Sequence, residues 1–240
     1  MRFPGARLLV FAKAPHPGAV MTRLHDTLGA AGAARLHAAL VRHTVDLACR
    51  ADLCPVELWC APGAEHPFFD RCARDFDIAL RCQEGADLGE RMHHALANAV
   101  QRSDCAMVMG CDCPSLTPAD LQEALQCLHE GSDAVVAPAE DGGYVLLGLR
   151  RTHPGLFIDV PWGTDRVMTV TRRRMEQLQW RWRELAVQWD VDRPQDLQRL
   201  AATDLEWEKG GERLTPVSSV DETGSTRACR SPRYGTSRED

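Results

Sequence analysis

The chain has 240 residues, 44% of them hydrophobic, so it can bury a full core as one domain or as one domain with an appendage. A formal net charge of −6, with no segment rich in Lys and Arg, argues against a nucleic-acid-binding surface. The apolar run at residues 8–12 is too short for a signal peptide or a membrane span, so we expect a cytoplasmic protein without a transmembrane segment.

The ten cysteines are scattered along the chain without C-x-x-C spacing, which predicts reduced and mostly buried thiols rather than a disulfide framework. Cys111 and Cys113 flank Asp112, but no second Cys or His pair accompanies them. A zinc site is therefore disfavoured, and we interpret both thiols as packing residues.

Strands and helices alternate along the first half of the chain. Residues 7–12 predict a buried strand, and the prolines and glycine at 15–18 predict an open loop after it. The next elements are predicted, in order, as a helix at 30–50, a strand at 56–60, a helix at 67–76, a strand at 78–82 and a helix at 87–102 that starts with a capping-box pattern.

The same alternation continues in the second half. A buried strand at 104–110 precedes Thr117 and Pro118, which are typical of the start of a helix. Further strands are predicted at 134–138, 144–149 and 183–187, and further helices at 164–178 and 194–200. The pattern predicts one α/β domain at residues 1–203 with a mainly parallel sheet, followed by a polar, mobile tail at 204–240.

Acidic residues follow several predicted strands. Asp112, Asp141 and the pair Asp190 and Asp192 all lie where ligands bind in open α/β sheets, and carboxylates there suit Mg²⁺ or Mn²⁺. Asp190 and Asp192 can face one pocket because they are two positions apart in extended backbone. Structural alternatives stay open: Asp112 could cap a turn, Asp141 could stabilise the turn before two glycines, and Asp192 could cap the helix that begins at Pro194.

The loop after the first strand supplies positive charge. Lys13 enters this loop and Arg23 leaves it, and the loop contains Gly18. Backbone amides and cations of this kind suit a diphosphate, although the loop matches neither a P-loop nor a G-x-G-x-x-G motif.

Seven short motifs in this order carry a family resemblance. They are FAKAPHPG at 11–18, TRL at 22–24, GADLGERM at 85–92, GCDCPSLT at 110–117, DGGY at 141–144, WGT at 162–164 and DVD at 190–192. Together they resemble the DUF2064 family of bacterial GT-A-like transferases, also called radical-SAM/selenodomain-associated transferase 1, some of which are placed in arsenosugar biosynthesis. The resemblance covers roughly residues 7–202.

The resemblance implies a GT-A fold, the three-layer α/β/α sandwich of nucleotide-diphospho-sugar transferases, similar also to 2-phospholactate and molybdenum-cofactor guanylyltransferases. It implies metal ligation by Asp112, Asp190 and Asp192. Four residues would act on the reacting groups: Lys13, Arg23, Asp112 and Asp141. The nucleotide would contact Ala12, Lys13, Gly18, Arg23, Asp87, Leu88 and Arg91. The acceptor would contact Gly142, Gly143, Tyr144, Trp162 and Thr164.

One position departs from the family pattern. Met21 stands where the family usually has a lysine, which removes a cation expected beside the phosphates.

The leading hypothesis is a Mg²⁺- or Mn²⁺-dependent glycosyltransferase that moves a sugar from a nucleoside-diphosphate sugar to a small acceptor. A guanylyltransferase-like nucleotidylyltransferase that releases pyrophosphate and a non-catalytic nucleotide-sugar-binding domain remain alternatives. The sequence indicates no oligomeric state.

Overall fold

The structure, a computed structural model, describes residues 1–203, 205, 207–209 and 212–214. It confirms an α/β fold with a mostly parallel sheet. The strands are β1 (Ala6–Lys13), β2 (Val56–Ala61), β3 (Ala79–Cys82), β4 (Cys105–Met109), β5 (Ala134–Pro138), β6 (Tyr144–Leu149), β7 (Trp182–Glu184), β8 (Trp207–Lys209) and β9 (Glu212–Leu214).

Seven of these strands form one sheet in the order β3-β2-β1-β4-β6-β5-β7. All neighbours are parallel except β6, which lies antiparallel to both β4 and β5. Strands β8 and β9 pair separately as an antiparallel hairpin. The carboxyl ends of β1 and β4 therefore meet at one edge, beside the start of β6.

The helices are α1 (His25–Arg50), α2 (Pro67–Phe76), α3 (Leu88–Val100), α4 (Pro118–His129), α5 (Val167–Gln177) and α6 (Asp196–Leu200). A short 3-10 helix at Thr22–Leu24 precedes α1, and the helical backbone of α1 is interrupted at Gly29. A second 3-10 helix spans Pro154–Leu156.

Alternating side chains of β1 separate two cores, which makes the fold three layers thick. Leu8 and Val10 pack on one face with residues of α1, α2 and α4. Leu9 and Phe11 pack on the opposite face with residues of α3 and α5. Residues along β1 are almost wholly buried, consistent with a central strand covered on both faces.

Some predicted boundaries were wrong by a few residues. Helix α5 begins at Val167 rather than at position 164, because the Thr164 hydroxyl accepts a hydrogen bond from the Arg166 amide in a turn that precedes the helix. Strand β7 ends at Glu184 rather than at position 187, since its pairing with β5 stops at Val136, next to a register irregularity. Helix α3 ends at position 100 and α6 starts at position 196.

The nine described cysteines are all free thiols, as predicted, and six of them are buried. Cys111 donates to the Phe11 carbonyl at 3.0 Å, and Cys113 contacts the Ser115 hydroxyl at 3.4 Å. Of the helices in the described ranges, none has the length and apolar character that a membrane crossing requires.

Two residues beyond the predicted domain boundary are buried. Leu205 and Trp207 join a hydrophobic cluster with Leu36 and Leu40 of α1. Most of the segment predicted as a mobile tail, including everything after residue 214, lies outside the described residues.

Candidate functional site

A cavity of about 730 Å³ opens at the carboxyl ends of β1 and β4, and we call it the main cavity. It is lined by nearly all of the residues that the sequence proposed for a site. These are Ala12, Lys13, Arg23, Asp87, Leu88, Arg91, Asp112, Asp141, Gly143, Tyr144, Trp162, Thr164, Asp190 and Asp192. Gly18 and Gly142 are not among the lining residues. The roles assigned from sequence stay predictions, but the cavity unites the residues that carry them.

The carboxylates meet because two distant segments are joined by a backbone hydrogen bond. The Val191 amide donates to the Asp112 carbonyl at 2.8 Å, just beyond the end of β4. Val191 is buried in a hydrophobic cluster, whereas Asp190 and Asp192 on either side of it line the main cavity. The spacing of two positions thus places both carboxylates in one cavity, as the sequence suggested.

Burial and neighbouring carboxylates raise the pKa of two acids in the main cavity, Asp112 and Asp190. Asp112 is accessible to solvent, yet the protein atoms around its carboxyl group, followed by the charges of Asp192 and Asp141, raise its pKa, while Lys13 opposes the shift. Burial, together with the charges of Asp112 and Asp141, raises the pKa of Asp190 to about 7. A cation bound beside these carboxylates would offset their repulsion and favour their charged form.

Three cationic side chains, those of Lys13, Arg23 and Arg91, also line the main cavity. Arg23 forms an ion pair with Asp192. Lys13 and Arg91 form no ion pair with any described residue, and the Arg91 Nε donates to the Gly85 carbonyl at 3.0 Å. Both cations are therefore available to an anionic ligand.

The carboxylate oxygens in the main cavity suit a hard divalent ion, although they do not form a complete coordination shell by themselves. Within the part of the chain that the structure describes, no group of three or more His, Cys, Asp or Glu side chains is arranged as a metal site. Mg²⁺ needs only one or two carboxylates, since water and substrate phosphates complete its shell. Asp112 and Asp190 form no ion pair with a described residue and offer such oxygen ligands, so the residues fit Mg²⁺ or Mn²⁺.

Asp141 has the structural role that was considered for it, whereas Asp192 does not. The Asp141 carboxylate accepts a hydrogen bond from the Gly143 amide at 2.8 Å, so it stabilises its turn and also lines the main cavity. Asp192 does not cap α6. Instead Asp196 accepts bonds from the amides of Asp192 and Arg193 at 3.0 and 2.7 Å, which leaves the Asp192 carboxylate to Arg23.

Asp87 caps α3, as its capping-box pattern predicted. Its carboxylate accepts from the Glu90 amide at 2.8 Å. The return bond differs from the expected pattern, because the Glu90 carboxylate accepts from the Ala86 amide rather than from that of Asp87. The first turn of α3 is thereby fixed at the mouth of the main cavity, with Leu88 exposed there.

An aromatic wall closes another side of the main cavity. The rings of Tyr144 and Trp162 meet edge to face with their centroids 6.2 Å apart. The Tyr144 hydroxyl lies 3.9 Å from the Met92 sulfur, and burial raises the pKa of Tyr144. This phenol is therefore protonated at neutral pH and acts as a wall rather than as a base.

The lining residues that the sequence did not indicate include His37 and Gln83. His37 on α1 is buried, and its Nε2 lies 3.0 Å from the Lys13 carbonyl oxygen. Gln83 donates to the carbonyls of Trp59 and Ala12 at 2.8 and 3.3 Å, which holds the ends of β1 and β2 together. No local pattern marks either residue, because each acts through the backbone of a strand distant in sequence.

Met21 occupies the position where a lysine was expected. It lines the main cavity in a left-handed backbone conformation with φ 47° and ψ 45°. Its half-buried side chain packs against the hydrophobic cluster that contains Leu24. The residue therefore contributes apolar contact, and the positive charge of this loop comes from Lys13 and Arg23.

Comparisons with known proteins agree with this geometry. The family model described as "Uncharacterized protein conserved in bacteria (DUF2064)" matches residues 44–164. A protein from Desulfovibrio desulfuricans G20, described as a candidate nucleotide-diphospho-sugar transferase, has a similar structure with a TM-score of 0.76 and 32% identity; the match covers 84% of this chain and 88% of that one. No curated protein sequence matches.

Two more distant structures share the fold alone. CMP:2-keto-3-deoxy-manno-octonic acid synthetase, solved with CTP, has a TM-score of 0.53 and 13% identity over 81% of this chain and 96% of its own. A 4-diphosphocytidyl-2C-methyl-D-erythritol synthase from Anaerococcus prevotii DSM 20548 has a TM-score of 0.56 and 8% identity over 82% and 96%. Together with the D. desulfuricans structure, they confirm the expected GT-A-like fold.

Proposed function

The chain belongs to the DUF2064 family, and from that premise we propose that it is a divalent-metal-dependent glycosyltransferase that uses a nucleoside-diphosphate sugar. The observation that carries the proposal is the junction of Asp112 with the 190–192 segment in the lining of the main cavity, which Lys13 also lines. A cavity of about 730 Å³ is within the range of small-molecule sites. The description of the D. desulfuricans protein supports the same donor class.

The main cavity offers both cationic and acidic side chains to a donor. Lys13 and Arg91 would contact the diphosphate, since neither has a carboxylate partner among the described residues. Asp112 and Asp190, with Asp192, would hold Mg²⁺ or Mn²⁺. A bound ion would supply electrostatic stabilisation of the negative charge on the leaving group.

In the proposed reaction, an acceptor hydroxyl oxygen forms a bond to the anomeric carbon of the sugar. The bond from that carbon to the β-phosphate oxygen breaks, and its electron pair leaves with the nucleoside diphosphate. Asp141 lines the main cavity beside the acidic group and would accept the hydroxyl proton or orient the hydroxyl. Tyr144 and Trp162 would exclude water from this side of the sugar.

The free thiols of the described residues support a reducing compartment, so we also propose a cytoplasmic location.

Product analysis tests the reaction. The protein is incubated with Mn²⁺, a panel of nucleoside-diphosphate sugars and a mixture of small acceptors, and the released nucleotide is identified by chromatography. We expect free nucleoside diphosphate, and Asp112→Ala should reduce its release by about 100-fold or more. Asp159→Ala is the matched control, because Asp159 lies outside the lining of the main cavity. Pyrophosphate as the product would instead indicate nucleotidyl transfer, and tight nucleotide binding without turnover would indicate a binding domain.

A further inference from the structure

Three separate segments bring acidic side chains to the lining of the main cavity. They are the turn after β4 with Asp112, the turn after β5 with Asp141, and the segment after β7 with Asp190 and Asp192. Carboxylates gathered in one place repel one another, and this repulsion acts to separate the segments that carry them. Contacts between the three segments therefore have to offset the repulsion.

Gln188 joins two of these segments through its backbone. Its amide donates to the Pro138 carbonyl at 2.8 Å, and its carbonyl accepts from the Glu140 amide at 3.0 Å. The two bonds form an isolated parallel bridge between Gln188 and Ala139. The segment after β7 is thereby fixed to the turn that carries Asp141.

The side chain of Gln188 reaches the third segment. It is buried, and its Oε1 accepts a hydrogen bond from the Ser115 hydroxyl at 2.8 Å. The same hydroxyl accepts a hydrogen bond from the Trp189 amide at 3.2 Å. Ser115 belongs to the turn after β4 that carries Asp112. The pair Ser115 and Gln188 therefore links the segment after β7 to the Asp112 turn, and its backbone bridge extends the link to the third segment.

The register of the segment after β7 decides where its two carboxylates lie. Val191 is buried and its amide donates to the Asp112 carbonyl at 2.8 Å, whereas Asp190 and Asp192 on either side of it line the main cavity. Because side chains alternate in this way, a shift by one residue would bury the carboxylate positions and expose the apolar one. A contact that fixes this register therefore also fixes the acidic pair.

We propose that Ser115 and Gln188 are positioning residues for the metal site, because their hydrogen bond fixes the segment after β7 and so brings its two carboxylates to Asp112. This inference rests on the proposed function. Neither residue lines the main cavity, so both act through the backbone rather than through contact with the ligand. Without the Ser115 hydroxyl, the Gln188 oxygen and the Trp189 amide lose a partner, and the segment gains freedom to move.

Ser115→Ala tests the assignment, and Ser103→Ala is its matched control. Both serines are partly buried. The Ser103 hydroxyl donates to the Ala99 carbonyl at 2.6 Å, between α3 and β4 and outside the lining of the main cavity. Each variant removes one hydroxyl from a partly buried hydrogen bond, so we expect both melting temperatures to fall by a similar amount, about 2–4 °C.

Two further measurements separate positioning from general stability. Binding of Mn²⁺ alone is followed by electron paramagnetic resonance, and Ser115→Ala should bind about tenfold or more weakly than the wild-type chain, while Ser103→Ala should bind as the wild type does. Hydrogen exchange of the Val191 amide, followed by NMR, should be about tenfold or more faster in Ser115→Ala than in Ser103→Ala. Gln188→Leu removes the acceptor at similar side-chain size and should reproduce both effects.

Unchanged Mn²⁺ affinity in Ser115→Ala or Gln188→Leu, unchanged exchange at Val191, or equal effects of Ser115→Ala and Ser103→Ala would overturn the inference. A wild-type chain that binds no Mn²⁺ would count against the proposed function itself. Binding of Mn²⁺ by the wild-type chain that persists at full strength in Ser115→Ala would refute only the positioning role.

Discussion

Replacing Gly142 with alanine tests the close contact between the turn before β6 and the segment before α5. Gly142 has φ +88° and Gly18 has φ +89°, so an alanine at either site incurs a similar backbone penalty of about 1–2 kcal/mol. At Gly18 the new Cβ has open space, with no atom of the surrounding chain within 4 Å. At Gly142 it lies 2.6 Å from the Asp165 Cα, so backbone has to move, at a further cost of about 1–3 kcal/mol.

The free energy of unfolding of both variants is measured by urea denaturation, monitored by tryptophan fluorescence. We expect a loss of about 1–2 kcal/mol for Gly18→Ala and about 2–5 kcal/mol for Gly142→Ala. The pair isolates the contact with Asp165, since the backbone penalty is common to both glycines. Losses that agree within about 0.5 kcal/mol would refute the close approach of the two segments.

Two further predictions concern buried polar contacts. Burial acts to raise the pKa of Glu57, but the bidentate Arg102 guanidinium at 2.7 and 2.9 Å holds that pKa below its ordinary value. The ion pair therefore stabilises the fold above the unfolded-state pKa of about 4.3 and is lost as pH falls through the lower folded-state pKa. Glu57→Gln should cost about 2–3 kcal/mol at pH 7 and less in acid, whereas an unchanged urea midpoint at pH 7 would contradict this account. His37→Leu removes the contact with the Lys13 carbonyl and should weaken nucleotide binding about threefold to tenfold in calorimetry. The control variant His43→Leu, on the same helix, should bind nucleotide as the wild type does. Equal effects of the two variants would show that His37 does not position Lys13.

Local chemistry made much of the fold predictable. Thr117 caps α4 in a reciprocal capping box with Asp120, and Pro118 occupies the first turn, as the sequence indicated. The apolar run before Gly110 forms a central strand that is buried on both faces, so Asp112 emerges at its carboxyl end. These features depend on neighbours a few residues apart, and such neighbours can be recognised from the sequence.

Contacts between segments distant in sequence were harder to predict from the sequence. Strand β6 lies antiparallel between β4 and β5, which nothing within residues 144–149 specifies. A second cavity, which adjoins the main cavity, combines a turn, the segment before α5 and the segment after β7, so no single stretch of sequence marks it. His37 was missed for the same reason, because its partner, the carbonyl of Lys13, carries no residue-specific signature.

Calorimetric titration of nucleoside diphosphates in the presence and absence of Mn²⁺ tests the central claim most directly. ADP, GDP, CDP and UDP are titrated into the wild-type chain, Asp112→Asn and the control Asp159→Asn. At least one nucleotide should bind the wild-type chain and the control, with an affinity about tenfold or more weaker when Mn²⁺ is withheld or Asp112 is replaced. Failure of all four nucleotides to bind, or unchanged metal-dependent affinity in Asp112→Asn, would contradict the assignment of the main cavity as a metal-assisted nucleotide site.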